Sequence, residues 1–196
     1  MKNAQPEGSR RRMSIADRVF PIPSVTTERL VMRRFTRSDL DCVCEAFYNF
    51  HVTEPMFFEG QTDGRLAEKF IDDTERGYEE RTAFVWAICD KNTNECMGAV
   101  GFNDIDERKL SAEIGYWLGE RFWGKGYAKE AVSAMTRYGF EYMKLHRIYA
   151  KCGRENIASM KVLLHAGLKA EGLFKDYFMK DGIYSDAVWF GAVSKD

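Results

Sequence analysis

Apolar and polar residues alternate from 29 to 35, with Leu30 and Met32 on one face and Val31 and Arg33 on the other, which predicts a strand. Thr36 and Asp39 then place a hydroxyl and an acid three positions apart, a start signal for a helix carrying Leu40, Val43, Cys44 and Phe47 at helical spacing. Residues 50–61 read as an aromatic loop containing Met56, Phe57 and Phe58. A second helix is expected over about 63–80, with Leu66, Phe70, Ile71 and Thr74 on one side. Strand patterning returns at 82–89, where Phe84, Trp86 and Ile88 share a face, and again at 96–102 and 112–118. Short polar turns separate these runs, so they should form an antiparallel meander. The period then lengthens. Ala128, Ala131, Val132, Met135 and Tyr142 make the apolar stripe of a helix from Tyr127 to about 144, with Lys129, Ser133, Arg137 and Glu141 outward. The strand that follows, 145–152, must run parallel to the one before the helix if the crossover packs back on the sheet. A short helix over 156–166, stopped by Gly167, and a hairpin of 168–179 with 184–193 complete an α+β chain with a mixed sheet.

The junction between the strand at 112–118 and the long helix carries a chemical signal. A strand feeding a glycine-containing loop that opens a helix gathers unpaired backbone N–H groups at the positive end of a helix dipole, which suits a diphosphate. Arg121, two residues, Gly124, one residue and Gly126 stand there. The glycines permit φ > 0 and close approach of the main chain to phosphate. The loop lacks the Gly-Lys-Ser/Thr ending of a P-loop and the Gly-x-Gly-x-x-Gly of a dinucleotide fold.

At 196 residues the chain suits one domain. Residues 1–24 are polar, contain Pro6, Gly8, Pro21, Pro23 and the run Arg10, Arg11 and Arg12, and read as a flexible basic tail ahead of a domain at 25–196. A basic arm that touches ribosomal RNA or an acidic partner is the sharper alternative for that run. The formal charge of −1 gives no global reason to expect direct nucleic-acid binding. No apolar run approaches the roughly 18 residues of a membrane span, and the start of the chain lacks a signal-peptide core, so a cytoplasmic protein is expected. Cys42, Cys44, Cys89, Cys96 and Cys152 lie in apolar patterns without Cys-x-x-Cys spacing and read as small buried thiols. With only His51, His146 and His165 beside them, no metal site is expected.

From residue 112 onward the motifs accumulate. Glu113-Ile-Gly-Tyr-Trp-Leu118, Phe122-Trp-Gly-Lys-Gly-Tyr-Ala128, His146-Arg-Ile148, Asn156-Ile-Ala-Ser159, His165-Ala-Gly-Leu168, Glu171-Gly172, Lys175-Asp-Tyr177, Asp181-Gly182 and Asp186 follow one another in a set order. Their order and spacing resemble the GNAT acetyltransferase superfamily, and within it the ribosomal-protein alanine/serine N-terminal acetyltransferase branch. The resemblance runs from about residue 27 to the C-terminus. It implies a central, mostly antiparallel twisted sheet of about seven strands, helices on both faces, and a splayed parallel pair that receives acetyl-CoA as cosubstrate. It also implies a cofactor surface made by Trp117, Leu118, Arg121, Phe122, Trp123, Gly124, Lys125, Gly126, Tyr127, Ala128, Asn156 and Ser159, with Asn156 on the pantetheine arm. Asn156 is equally a good helix cap, and the two roles are compatible.

Acetyl transfer to an amine needs a neutral nitrogen, a stabilised tetrahedral species and a proton source for the departing thiolate. Many family members place a Tyr seven residues after the Asn as acid; here that position is Leu163. The ribosomal-protein branch offers a Ser three residues after the Asn, so Ser159 is the candidate for thiolate stabilisation. Glu113, on the same strand face as Gly115 and Trp117, is the candidate base. Met56, Phe57 and Phe58 either line an acceptor pocket or pack against the core, and Tyr184 and Asp186 are candidates to orient the acceptor. The expected reaction is transfer to a protein N-terminal α-amine. Acetylation of a small amine (polyamine, amino sugar or amino acid) and a non-catalytic acyl-CoA-binding module stay open, as do monomer and homodimer.

Overall fold

The computed structural model describes residues 13–56 and 64–195. The basic run at 10–12 and Phe57 and Phe58 lie outside them. Strands β1 (Val25–Thr26), β2 (Leu30–Arg33), β3 (Phe84–Asp90), β4 (Cys96–Asp106) and β5 (Ser111–Leu118) pair antiparallel in sequence order. β6 (Arg147–Gly153) then joins β5 in parallel, and β8 (Ile183–Val193) lies between β6 and β7 (Lys169–Lys180). The eight-stranded sheet exceeds the expected seven by the two-residue β1, too short to show a period.

Strand alternation divides two cores. Leu30, Met32, Phe84, Trp86, Ile88, Ile114 and Leu118 face α1 (Ile15–Val19) and the crossover helix α5 (Tyr127–Glu141). Ala87, Cys89, Ala99 and Trp117 face α2 (Leu40–Tyr48), α3 (Phe50–Thr53) and α4 (Gly64–Glu80). The register shifts between β3 and β4: Ile88 opposes Gly98 but Cys89 opposes Cys96, so Met97 is a bulge residue that enters the first core while Cys96 joins Cys89 in the second.

Three expectations are corrected. The loose tail does not extend to residue 24. Ser14 and Asp17 form a capping box, the Glu107 carboxylate accepts from the amides of Ile15 and Ala16 at 2.9 and 3.2 Å, and Ile15 and Val19 are fully buried. The segment 50–56 is not an open loop; Asn49 caps α3 by accepting from the His51 amide, and one 3-10 turn follows. Tyr142 is exposed rather than buried, because α5 ends at Glu141. Tyr138 takes the core position one turn earlier and Tyr142 stacks outside it, centroids 5.4 Å apart.

The feature that positions the site is a break in pairing. β5 and β6 are in register only at Ser111 with Arg147, Ala112 with Ile148 and Glu113 with Tyr149. Beyond Glu113, β5 stays paired with β4 through Leu118, and β6 stays paired with β8 through Gly153. The two parallel strands therefore diverge, leaving ladder groups of each facing a gap.

Candidate active site

At the far end of β5 the chain turns through a 3-10 turn at Glu120–Phe122 into the glycine loop. Gly124 and Gly126 have φ of +73° and +83°, left-handed conformations that a side chain disfavours. Gly126 is the N-cap of α5 and supplies no side chain to its first-turn amides, which lack intrahelical acceptors by geometry. An uncapped helix start next to two left-handed residues is a concave set of donors suited to phosphate.

The loop is braced from a distant part of the chain. Arg29 donates through its guanidinium to the Lys125 carbonyl at 2.9 Å and to Glu130 at 2.6 Å, and its charge lies over the Tyr127 ring, 4.6 Å from the centroid. Glu130 also accepts from the Thr27 hydroxyl and the Arg29 amide at 2.6 and 2.9 Å. Burial opposes the Glu130 charge, yet these donors outweigh it and hold its carboxyl below the ordinary range. Neither Arg29 nor Glu130 was found by sequence reasoning, because about a hundred residues separate them and no local spacing links them.

The side chains expected to line the cofactor divide into scaffold and rim. Leu118, Phe122 and Ala128 lie in or against the α5 core, and Trp117 is buried against Phe47 and Phe70 in the other core. These four set the main chain's course. Trp123 is exposed and donates its indole N–H to the Leu118 carbonyl at 2.8 Å, closing the end of β5. Lys125 is exposed on the loop. The Arg121 guanidinium turns to Glu95 at 3.0 Å and Glu45 at 3.4 Å and stacks over Phe122, so these carboxylates hold it and its main chain alone forms part of the loop.

The opposite lip of the gap is α6 (Ile157–His165), which follows β6. Asn156 is its N-cap, accepting the Ser159 amide at 2.9 Å through Oδ1, which leaves Nδ2 as its unspent donor. The Ser159 hydroxyl lies 2.8 Å from the phenol oxygen of Tyr116 on β5. Leu163 is buried in the core and offers no acid. Tyr116 went unnoticed in the sequence because it alternates away from the Glu113 face and looks like an ordinary core aromatic.

On the sheet face toward α2 and α4, Glu113 receives the Lys151 ammonium at 2.8 Å. Burial pushes the Glu113 carboxyl up; Lys151 pulls it down without overcoming burial, and neighbouring Asp104 adds to the rise. Burial opposes the Lys151 charge, yet the Glu113 bond and charge, with smaller help from Tyr177 and Asp104, together outweigh it and lift Lys151. Asp104 reaches this place through a register shift between Asn103 and Asp106 and adopts φ of +47°. The Lys151 ammonium also lies 5.6 and 5.9 Å from the ring centroids of Trp189 and Tyr177, and Trp189 stacks on Tyr149 at 5.5 Å. Of the two acceptor-orienting candidates, Asp186 is spent on Arg154 and the Asp176 amide, while Tyr184 is exposed.

Among the described residues, one group of metal-type donors comes together: Asp39, Cys89 and Cys96, with ligand atoms within 4.8 Å of one another. Arg33 grips both oxygens of Asp39 at 2.8 and 2.9 Å, so a metal would compete with a fixed cation; contact with Cys96 and burial push the Cys89 thiol up, and contact with Cys42 and burial push Cys96 up against the opposing pull of Cys89. No helix among the described residues is long and apolar enough to cross a membrane.

A family model described as an acetyltransferase (GNAT) domain matches residues 29–169. The uncharacterized N-acetyltransferase p20 of Bacillus licheniformis is 37% identical over 170 residues, covering 87% of this chain and 96% of that protein. The [ribosomal protein uS5]-alanine N-acetyltransferase of Escherichia coli K12 is 27% identical over 181 residues, covering 90% and 93%. The crystal structure of a GNAT-family acetyltransferase from Bacillus anthracis superposes with a TM-score of 0.80 at 26% identity, covering 89% of this chain and all of the other. With a diverging parallel pair, an uncapped glycine loop and a domain match across most of its length, this chain belongs to the GNAT family and is an N-acetyltransferase.

Proposed function

We propose that the chain transfers the acetyl group of acetyl-CoA to a protein N-terminal α-amine by direct attack in a ternary complex. The observation that carries this reading is the gap itself. Pairing stops at Glu113 and Tyr149, and the glycine loop stands at one end with Asn156 and Ser159 across from β5. The diphosphate is held by main-chain amides from Arg121 to Ala128, with Lys125 at the rim. The pantetheine arm runs along the open edge of β5 near Trp117 and Leu118, with the Asn156 Nδ2 as a donor. Ser159 donates a hydrogen bond to the sulfur, keeping its own proton, and so stabilises the CoA thiolate that departs with the bonding electron pair.

An α-amine titrates near 7.7 to 8.0, about 2.5 units below a lysine, so little base strength is required. Glu113 takes the proton released as the amine attacks the thioester carbonyl. Its upward-shifted carboxyl is closer to the amine than an ordinary glutamate. Alignment of amine and thioester supplies much of the remaining rate. Two observations support a peptide acceptor: a relative acts on a ribosomal-protein alanine, and Leu173, Phe174, Tyr177, Met179 and Ile183 are exposed on the β7–β8 arm beside the site. The adjacent carboxylates of Asp104 and Glu113 favour a second reading, a small cationic amine, although Lys151 already neutralises one of them. A cytoplasmic setting, with acetyl-CoA and nascent proteins at hand, fits either.

A CoA-release assay over peptides with Ala or Ser N-termini, polyamines, amino sugars and amino acids tests this. Turnover highest on peptides is expected. Turnover confined to small amines selects the second reading, and acetyl-CoA binding without turnover on any acceptor selects a non-catalytic module.

A further inference from the structure

Tyr116 sits on β5 between Gly115 and Trp117, three residues beyond the last one paired with β6, so its phenol crosses from one lip of the gap to the other. Its backbone is fixed opposite Val100 of β4, and its oxygen lies 2.8 Å from the Ser159 Oγ and 3.2 Å from the Ser159 carbonyl oxygen. One phenol carries one proton, so two arrangements exist. If the phenol donates to the carbonyl, the serine hydroxyl donates to the phenol oxygen and its hydrogen is spent. If the phenol donates to Oγ, the shorter contact, the serine hydrogen can point into the gap, with the weakly accepting Cys152 sulfur as its neighbour inside the protein.

We propose that Tyr116 is a positioning residue for acetyl transfer: its O–H donates to Ser159 Oγ, fixes the serine rotamer and turns the serine hydrogen toward the departing sulfur. This rests on the reading of Ser159 as the thiolate donor. A hydroxyl that accepts one hydrogen bond donates the next one more strongly, because each bond polarises its neighbour. Ser159 is otherwise well held, since its amide is already given to Asn156 Oδ1 at 2.9 Å. Without the phenol, a serine in the first turn of a helix has nearby backbone oxygens to which its hydrogen is readily lost.

The phenol does not deliver its own proton. Burial pushes Tyr116 up, so a tyrosinate at this position is disfavoured throughout the working pH range. The neighbouring Cys152 sulfur is within hydrogen-bonding reach of Ser159, but burial outweighs that contact and pushes the thiol up, so Cys152 stays a neutral thiol, a weak acceptor for the serine hydrogen. Tyr116 therefore keeps its hydrogen bond to Oγ from substrate through to product. The family's usual acid position is occupied by Leu163, and a phenol from a different element reaches the same helix instead.

The test is a double-mutant cycle of Tyr116→Phe and Ser159→Ala, reading kcat and the KM for acetyl-CoA separately. Tyr116→Phe removes one oxygen and leaves the ring's packing, and a thermal melt together with acetyl-CoA binding heat confirms that it folds. It should lower kcat about tenfold with KM unchanged. Ser159→Ala should lower kcat at least as far, and the double variant should be no slower than Ser159→Ala alone. If Ser159→Ala lowers kcat while Tyr116→Phe is silent, changes only KM, or multiplies with it, the positioning role is overturned and Ser159 keeps its own. If Ser159→Ala leaves kcat unchanged, the reading of Ser159 falls and the proposal falls with it.

Discussion

Glu113 is a carboxylate whose charge is opposed by burial and by Asp104 and supported by Lys151. In the proposed role of base it works only when ionised, so activity should be lost as pH falls through its pKa, at a higher pH than for an unburied glutamate. Lys151 favours the ionised form. Lys151→Met should therefore raise the Glu113 pKa further and move the acid limb of the kcat–pH profile to higher pH. Glu113→Gln lowers kcat by about ten- to a hundredfold and removes that limb. A profile that stays in place in Lys151→Met would show that the carboxylate does not limit the rate. Lys151 was legible as a strand position but not as a partner. Alternation places Tyr149 and Lys151 on one face, yet which strand lies beside them depends on the crossover and on the insertion of β8 next to β6.

At the scale of elements, what the sequence made legible was local. The alternation of Leu30 with Met32, and of Phe84, Trp86 and Ile88, produced the strand faces observed. The left-handed Gly124 and Gly126 and the Asn156 cap are where the spacing put them. What was not legible is contact between distant segments. Arg121 satisfies the loop motif by position, yet its guanidinium is drawn off by Glu45 and Glu95, whereas the loop is held by Arg29 and Glu130. Glu130→Gln breaks that brace without entering the gap. It should raise the KM for acetyl-CoA by about three- to tenfold, with kcat little changed; an unchanged KM would show that the loop holds its shape unaided. α1 is a second long-range element, docked by Glu107 at its start and by buried Ile15 and Val19. Ile15→Ala should cost about 2–5 kcal/mol through the cavity it leaves. A melting temperature within about 1 °C of wild type would mean that α1 is not docked in solution.

Across the whole molecule, the sheet performs two tasks that conflict. β3, β4 and β5 on one side, and β6, β8 and β7 on the other, are long ladders broken only by local register shifts, with buried side chains on the α5 face. Between them the ladder runs for three residue pairs and then opens, so backbone groups that a folded chain ordinarily pairs are left facing one another across a gap. α5 spans the opening by joining β5 to β6, and its uncapped start lies at the mouth. An extended ligand with amide groups and a diphosphate end meets both needs, and the chain's membership of the GNAT family supports acetyl-CoA in that place. The most direct measurement is calorimetric titration of acetyl-CoA into the wild-type protein and into the Gly124→Val/Gly126→Val double variant. One-to-one binding by the wild type is expected, with a loss of at least about tenfold in affinity in the folded variant, a difference of about 1.4 kcal/mol or more. No heat with the wild type, or equal affinity in the two proteins, would contradict it.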